Sequence, residues 1–257
     1  MNQTFVIQLN NVEKTFGTHK ILRGVNLSIP EGKTTVIVGG SGQGKSVIIK
    51  HILGLVQPDS GSILINGKDI NNVKKKELKE IRSQFGVLFQ NAALFDSMTV
   101  FDNVALPLRE RTRMTEKEIR DIVNDKLALM DIVGSNDKYP AQISGGMKKR
   151  VGLARALVLN PKIIFFDEPT TGLDVAKSNE IYRVFFRSHA KLGYTAVIVS
   201  HDFPRILKLA DYVALLHNGV IQDMLTPEAF QLSNNPVIKD YVKETMGTLY
   251  SSESMEA

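Results

Sequence analysis

The sequence contains no cysteine, which excludes disulfides, thiolate nucleophiles and cysteine-ligated metals. That absence fits a reducing compartment. Long apolar runs are also missing: nothing approaches the ~18 consecutive apolar residues that a membrane-spanning helix needs. Met1-Asn2-Gln3-Thr4 offers no basic stretch followed by an apolar one, so no secretory leader is expected. Internal repeats and sustained heptads are absent as well, which argues against solenoids and long coiled coils. What remains is a chain of 257 residues, long enough for one α/β domain or two small ones around a substantial core. Its net charge of +5 and pI near 9.2 suit an anionic ligand, a nucleic acid or an acidic membrane surface. Glu77 and Glu80 interrupt the basic run Lys74-Lys75-Lys76, which reads as a solvated helix face. No nucleic-acid partner is expected.

The most informative stretch is Val36-Ile37-Val38 running into Gly39-Gly40-Ser41-Gly42-Gln43-Gly44-Lys45-Ser46. The spacing matches G-x-x-x-x-G-K-[ST], a phosphate-binding loop between a strand and a helix. Glycines let the backbone curl through positive φ and approach a polyphosphate with no Cβ in the way. Successive N–H groups then form an anion nest, reinforced by the positive end of the helix that starts near Gly44. Lys45 is placed to reach the β- and γ-phosphates and Ser46 to ligate Mg²⁺. The bland reading is a glycine-rich turn with no ligand.

Around the loop, Phe5–Leu9 and Val12–Phe16 read as a strand pair or one bent strand, and Val25, Leu27 and Ile29 as a strand with one buried face. Asn66-Gly67 signals a tight hairpin after the strand Ser62–Ile65. Together they predict an N-terminal antiparallel sheet. Phe85–Phe89 is an apolar strand ending in Gln90, and 91–159 is mostly helical, with a capping box opening at Thr115. Ile163–Phe166 and Ala196–Val199 are buried strands, each expected to be followed by a helix in a parallel sheet. Tyr212–Leu216 and Val220–Met224 flank His217-Asn218-Gly219, which reads as a hairpin turn, and Thr226-Pro227 opens a further helix. Thr245–Ala257 is small and polar, the composition of a disordered tail.

Five further features follow the loop in a set order. Gln90 ends a strand; Ile143-Ser144-Gly145-Gly146-Met147 precedes a helix; Ile163-Ile164-Phe165-Phe166-Asp167-Glu168 ends four apolar residues in two carboxylates. Thr171-Gly172-Leu173-Asp174 comes next, and His201 closes the strand Val197–Ser200. Each is weak alone; the ordered set is specific. The set resembles the ATP-binding cassette of ABC transporters over about Phe5 to Met224. That resemblance implies an α/β P-loop NTPase fold: a RecA-like core, an N-terminal antiparallel β-subdomain and an inserted α-helical subdomain near 91–159. The cassette would span 1–225, with a helical extension and polar tail over 226–257.

By residue, the resemblance implies ATP contacts from Gly39, Gly40, Ser41, Gly42, Gln43, Gly44, Lys45, Ser46 and Val47, with Phe16 stacking on adenine. Ser144, Gly145, Gly146 and Asp174 would serve the nucleotide of a second copy. Ser46, Gln90 and Asp167 would hold Mg²⁺, and Glu168, His201, Lys45 and Gln90 would act in hydrolysis. Two departures stand out: Phe16 replaces the usual tyrosine and Met147 the usual glutamine, while Ser144-Gly145-Gly146 is intact. The stretch Leu88–Glu110 and the Lys148-Lys149-Arg150 that follows Met147 resemble the MlaF and Mkl group, ATPases of Mce-type lipid transport systems. This implies a homodimer with two ATP sites, peripheral at the inner face of the cell membrane through a permease, with an Mce-domain protein and a small accessory subunit as further partners. An importer ATPase for amino acids or another small polar solute stays open, as does a non-transport ABC ATPase.

Overall fold

The computed structural model describes residues 4–246. The expected polar tail therefore lies outside the described residues from Gly247 onward, whereas Thr245 and Met246 end a helix. The chain divides into two compact units, 1–79 with 197–257 and 80–196.

In the first unit, β1 (Phe5–Phe16) and β2 (His19–Pro30) pair antiparallel, Ile7 opposite Ile29 and Leu9 opposite Leu27. Strand β1 is a single bent strand. Its register shifts between Leu9 and Val12, where Asn11 has φ 50° and its N–H donates to Asn26 Oδ1 at 2.9 Å. Such an irregularity lets Leu9 and Val12 both face the core although they are three residues apart. On the other edge β4 (Ser60–Ile65) aligns Ile65 with Ile7, and Asn66-Gly67, both at positive φ, turns into the short β5 (Lys68–Asp69). The antiparallel sheet runs β2-β1-β4-β5.

The same unit contains β3 (Thr34–Val38), all five residues buried, parallel to β9 (Tyr212–His217). A strand covered on both faces reads as a continuous apolar run rather than an alternation. Asn218-Gly219 closes β9 onto β10 (Val220–Leu225). Helices α1 (Lys45–Ile52) and α2 (Lys75–Arg82) follow β3 and β5, and α7 (Pro227–Gln231) and α8 (Pro236–Met246) follow β10.

The second unit pairs β6 (Phe85–Leu88) with β7 (Ile163–Asp167) in parallel. Strand β6 stops one residue short of Phe89, so Gln90 lies in a turn rather than at a strand end. Four helices complete it: α3 (Val100–Arg111), α4 (Glu116–Leu129), α5 (Gly145–Leu157) and α6 (Val175–Leu192). Thr99, Thr115, Ser144 and Asp174 each accept a backbone N–H at the helix start, satisfying donors the helix leaves orphaned. Strand β8 (Thr195–Val199) begins in this unit, with the Thr195 N–H on Lys162 O. It ends in the first, where the Ser200 N–H reaches Ile37 O at 3.2 Å. A helix was expected after it. The structure has only a 3₁₀ turn, Arg205–Leu209, which opens with the Ile206 N–H on Asp202 O at 3.0 Å and stops at Ala210, where the backbone is extended.

Gly61 faces the bend of β1: a Cβ there would lie 2.4 Å from Asn11 O at φ +88°. Gly61→Ala is expected to lower unfolding free energy by ~1–3 kcal/mol, read from the urea midpoint. Gly32→Ala, also at positive φ but in open space, is expected to cost less.

Candidate functional site

The phosphate loop is built by crowding on both flanks. Gly39 is buried with φ +148°, and a Cβ there would lie 2.3 Å from Leu216 O of β9. Gly44, φ +99°, would put its Cβ 2.7 Å from Ile21 Cγ2 of β2. No side chain fits at either place, so the glycines at both ends of the loop follow from packing as much as from φ. Lys45 is 5% exposed and donates from Nζ to Gly39 O at 3.0 Å and Gly40 O at 2.8 Å. Gln43 Oε1 accepts the Asn218 N–H at 2.8 Å, which ties the loop crest to the β9–β10 turn. Ser46 and Val47 are half-buried in the first turn of α1. Ser41 and Gly42 are exposed. Phe16, at the end of β1, is 45% exposed and has Lys14 Nζ 5.5 Å from its ring centroid. His201 is exposed beyond β8, while its neighbour Asp202 is buried and paired with Arg205.

The carboxylates belong to the second unit. Asp167 is the last residue of β7, and Glu168 follows at φ 48°, an unusual conformation for a glutamate. Thr171 Oγ1 donates to Glu168 Oε2 at 2.9 Å, orienting the carboxylate. Ser144, Gly145 and Gly146 form the start of α5, with Ser144 Oγ accepting the Met147 N–H at 3.3 Å. Asp174 caps α6 and pairs with Lys177 at 2.6 Å, which holds its carboxyl below the usual range.

Three residues to which the sequence reading gave no individual role organise the loop after Gln90. Lys149, 6% exposed, donates to the main-chain carbonyl of Gln90. Burial pulls its ammonium below the usual lysine range, and Glu168 and Asp167 oppose that shift. Arg155 donates to Ala92 O at 2.7 Å and Ala93 O at 2.8 Å. Those two alanines both have positive φ, and the guanidinium holds the strained pair in place. Asn103 is fully buried; its Oδ1 accepts from Phe95 N at 2.8 Å and its Nδ2 donates to the carbonyls of Phe95, Met98 and Thr99. Thr99 is the cap, so α3 begins only at Val100. The three-four spacing of Leu94, Met98 and Phe101 does not put them on one helical face: Leu94 and Met98 precede the helix, and Phe101 is buried at 8% exposure. Phe95 is 50% exposed.

Mg²⁺ is a hard cation that takes one or two carboxylates, a hydroxyl and phosphate oxygens rather than an all-protein cage. No cluster of three His, Cys, Asp or Glu side chains is present among the described residues. Ser46 and Asp167 supply the right donor types. A polyphosphate fits the loop, because Gly40, Gly42 and Gly44 carry no Cβ to obstruct its backbone and the crest, Gly40–Gly42, is exposed.

Residues 22–171 match the family described as ABC transporter. The chain is 43% identical to a probable ribonucleotide transport ATP-binding protein, mkl, of Mycobacterium tuberculosis, over 97% of this chain and 70% of that protein. It is 37% identical to the intermembrane phospholipid transport system ATP-binding protein MlaF of Haemophilus influenzae, over 95% of this chain and 99% of that one. Among solved structures it is similar to cbiO1 of Clostridium perfringens, part of the ABC transporter complex cbiONQ (TM-score 0.82, 29% identity, 93% of this chain and 95% of that). It is also similar to a dimeric post-hydrolysis ATP-binding cassette bound to ADP and phosphate (TM-score 0.78, 32% identity, 86% and 98%).

Asn103→Ala removes four hydrogen bonds to the segment 95–99. Each such bond nets ~0.5–1.5 kcal/mol, so a loss of about 2 kcal/mol or more in the urea midpoint is expected. Amide exchange at Phe95 is expected to speed up. Unchanged exchange there would show that the side chain does not hold the loop.

Proposed function

This chain belongs to the ABC transporter family of ATP-binding proteins, and on that premise we propose that it powers phospholipid movement as the ATPase subunit of an Mce-type system. Its reaction is ATP hydrolysis. The observation that carries the cargo reading is the end-to-end match to MlaF, 99% of whose length is covered. Ribonucleotide is the second reading, favoured by the higher identity to mkl, of which 70% is covered.

Phosphoryl transfer asks mainly for positioning and charge stabilisation. The amides of Gly40–Ser46 cradle the phosphates, and Lys45 leaves its two carbonyl partners to reach the β,γ-oxygens. Phe16 offers its ring face to adenine. Glu168, oriented by Thr171, accepts the proton of the attacking water, and His201 donates to the γ-phosphate. Ser46, Gln90 and Asp167 would hold Mg²⁺, and the ion would supply positive charge to the phosphate oxygens. Ser144, Gly145, Gly146 and Asp174 meet the nucleotide of a second copy in a two-fold dimer. No helix among the described residues is long and apolar enough to cross a membrane. Membrane work therefore passes to a separate permease at the inner face of the cell membrane, contacted by the loop that displays Phe95. An Mce-domain protein and a small accessory subunit complete the assembly.

Glu168→Gln is expected to bind ATP normally and lose ~10²–10⁴ in turnover, accumulating as an ATP-bound dimer on size exclusion. Turnover near wild type would remove Glu168 from the reaction.

Phe95→Asp is expected to keep the melting temperature and ATP affinity of the free subunit but to abolish co-purification with the permease. The wild-type complex, extracted in mild detergent, is expected to carry phospholipid by mass spectrometry. Bound ribonucleotide beyond the ATP sites, with no phospholipid, would favour the second reading.

A further inference from the structure

Strand β1 carries Phe16 at its very end, where the backbone has a neighbouring strand on one side only. Pairing with β4 runs as far as Glu13 opposite Ser60, where β4 begins. Lys14, Thr15 and Phe16 outrun it and keep β2 beside them, Thr15 opposite Lys20 and Phe16 opposite His19. A two-stranded end of this kind is marginally stable by itself, and its outward N–H groups lack ladder partners.

The residue just before β4 makes good that loss. The Asp59 N–H donates to Glu13 O at 2.9 Å, as if β4 were one residue longer. Its carboxylate then takes the next place along, with the Thr15 N–H donating to Oδ2 at 2.7 Å. Oδ1 accepts from Lys14 Nζ, also at 2.7 Å. Residues two apart on a strand share a face, and the same Lys14 ammonium lies over the Phe16 ring, 5.5 Å from its centroid. The Lys14 side chain is 16% exposed, while Phe16 stays open to solvent. One carboxylate thus holds the backbone just before the ring and, through Lys14, one side of the ring itself. The Lys14 bond, and then the Thr15 N–H, hold the Asp59 carboxyl below the usual carboxylate range.

We propose that Asp59 is a positioning residue for adenine: by clamping the Thr15 N–H and Lys14 it fixes the Phe16 ring, with Lys14 over one face and the other presented to the base. In this role Asp59 acts only through the ring, so its influence falls on nucleotide affinity rather than on the chemical step. The inference rests on the reading of Phe16 as the residue that stacks on adenine and is independent of cargo.

Phe16→Leu in the full chain removes the stacking face and is expected to weaken Mg²⁺–ADP binding, measured by calorimetry, about ten- to a hundredfold. Asp59→Ala keeps the backbone bond to Glu13 and deletes both side-chain bonds. It is expected to weaken Mg²⁺–ADP binding about three- to tenfold. KM for ATP is expected to rise by a similar factor, with kcat within about twofold of wild type. Asp59→Asn retains an acceptor for the Thr15 N–H and is expected to fall between Asp59→Ala and wild type. Because the effect runs through the ring, Asp59→Ala is expected to add less than about twofold in the Phe16→Leu background. Fully additive losses in the double variant would overturn the proposal and reduce Asp59 to general support of the sheet. So would wild-type affinity in Asp59→Ala alone. Undiminished affinity in Phe16→Leu would instead withdraw the stacking premise, and the proposal with it. Each failure leaves the phospholipid reading untouched, since no measurement involves cargo.

Discussion

Gly39 is pressed against the carbonyl of Leu216 in β9, and much of the first unit is arranged around that constraint. A buried strand, β3, must end and reverse its backbone so that successive N–H groups face one point. The reversal is possible only without a Cβ at Gly39, where Leu216 O approaches, and at Gly44, where Ile21 does. Both neighbours are set by sheet pairing: Leu216 by β9 beside β3, and Ile21 by β2 beside β1. The loop is thus held open by two sheets rather than by its own sequence alone. Lys45, withdrawn onto the carbonyls of Gly39 and Gly40, is kept desolvated and close to its working place. A preset lysine loses less conformational freedom when a phosphate arrives.

The second unit meets a different constraint, that of keeping strained backbone where chemistry needs it. Glu168 at φ 48° and the consecutive Ala92 and Ala93 at φ 59° and 47° are all in the left-handed region. Each costs of order 1–3 kcal/mol and persists because neighbours fix it. Thr171 holds Glu168, and Arg155 holds both alanine carbonyls. Lys149 joins the Gln90 carbonyl to the field of Asp167 and Glu168. Gly152 gives the room, since a Cβ there would crowd Leu88 and Ala92. One face of α5 therefore organises the turn after Gln90, while the start of the same helix carries Ser144-Gly145-Gly146.

Much of this was legible from local pattern. Capping at Thr115, the Asn66-Gly67 turn and the buried run of β3 are local physics, decided within a few residues. The exposure of Phe95 was also legible, because a cap at Thr99 ends the helix before it reaches Phe95. The same cap makes the spacing of Leu94, Met98 and Phe101 uninformative, since a three-four spacing carries no information outside a helix. The helix expected after β8 is a five-residue 3₁₀ turn, because α/β alternation says that a crossover follows a strand but not how long its helical part is.

The sequence by itself determined the phosphate loop, the order of the nucleotide motifs and the alternation of strand and helix, because each depends on residues within about ten positions of one another. Tertiary structure alone decided the roles of Lys149, Arg155 and Asn103. Lysine, arginine and asparagine within helices read as ordinary solvated side chains until the fold buries them. Lys149 finds its carbonyl 59 residues away and Arg155 finds one 63 away. Burial turns each polar group into a demand for a partner, and only the folded chain says which backbone group meets it.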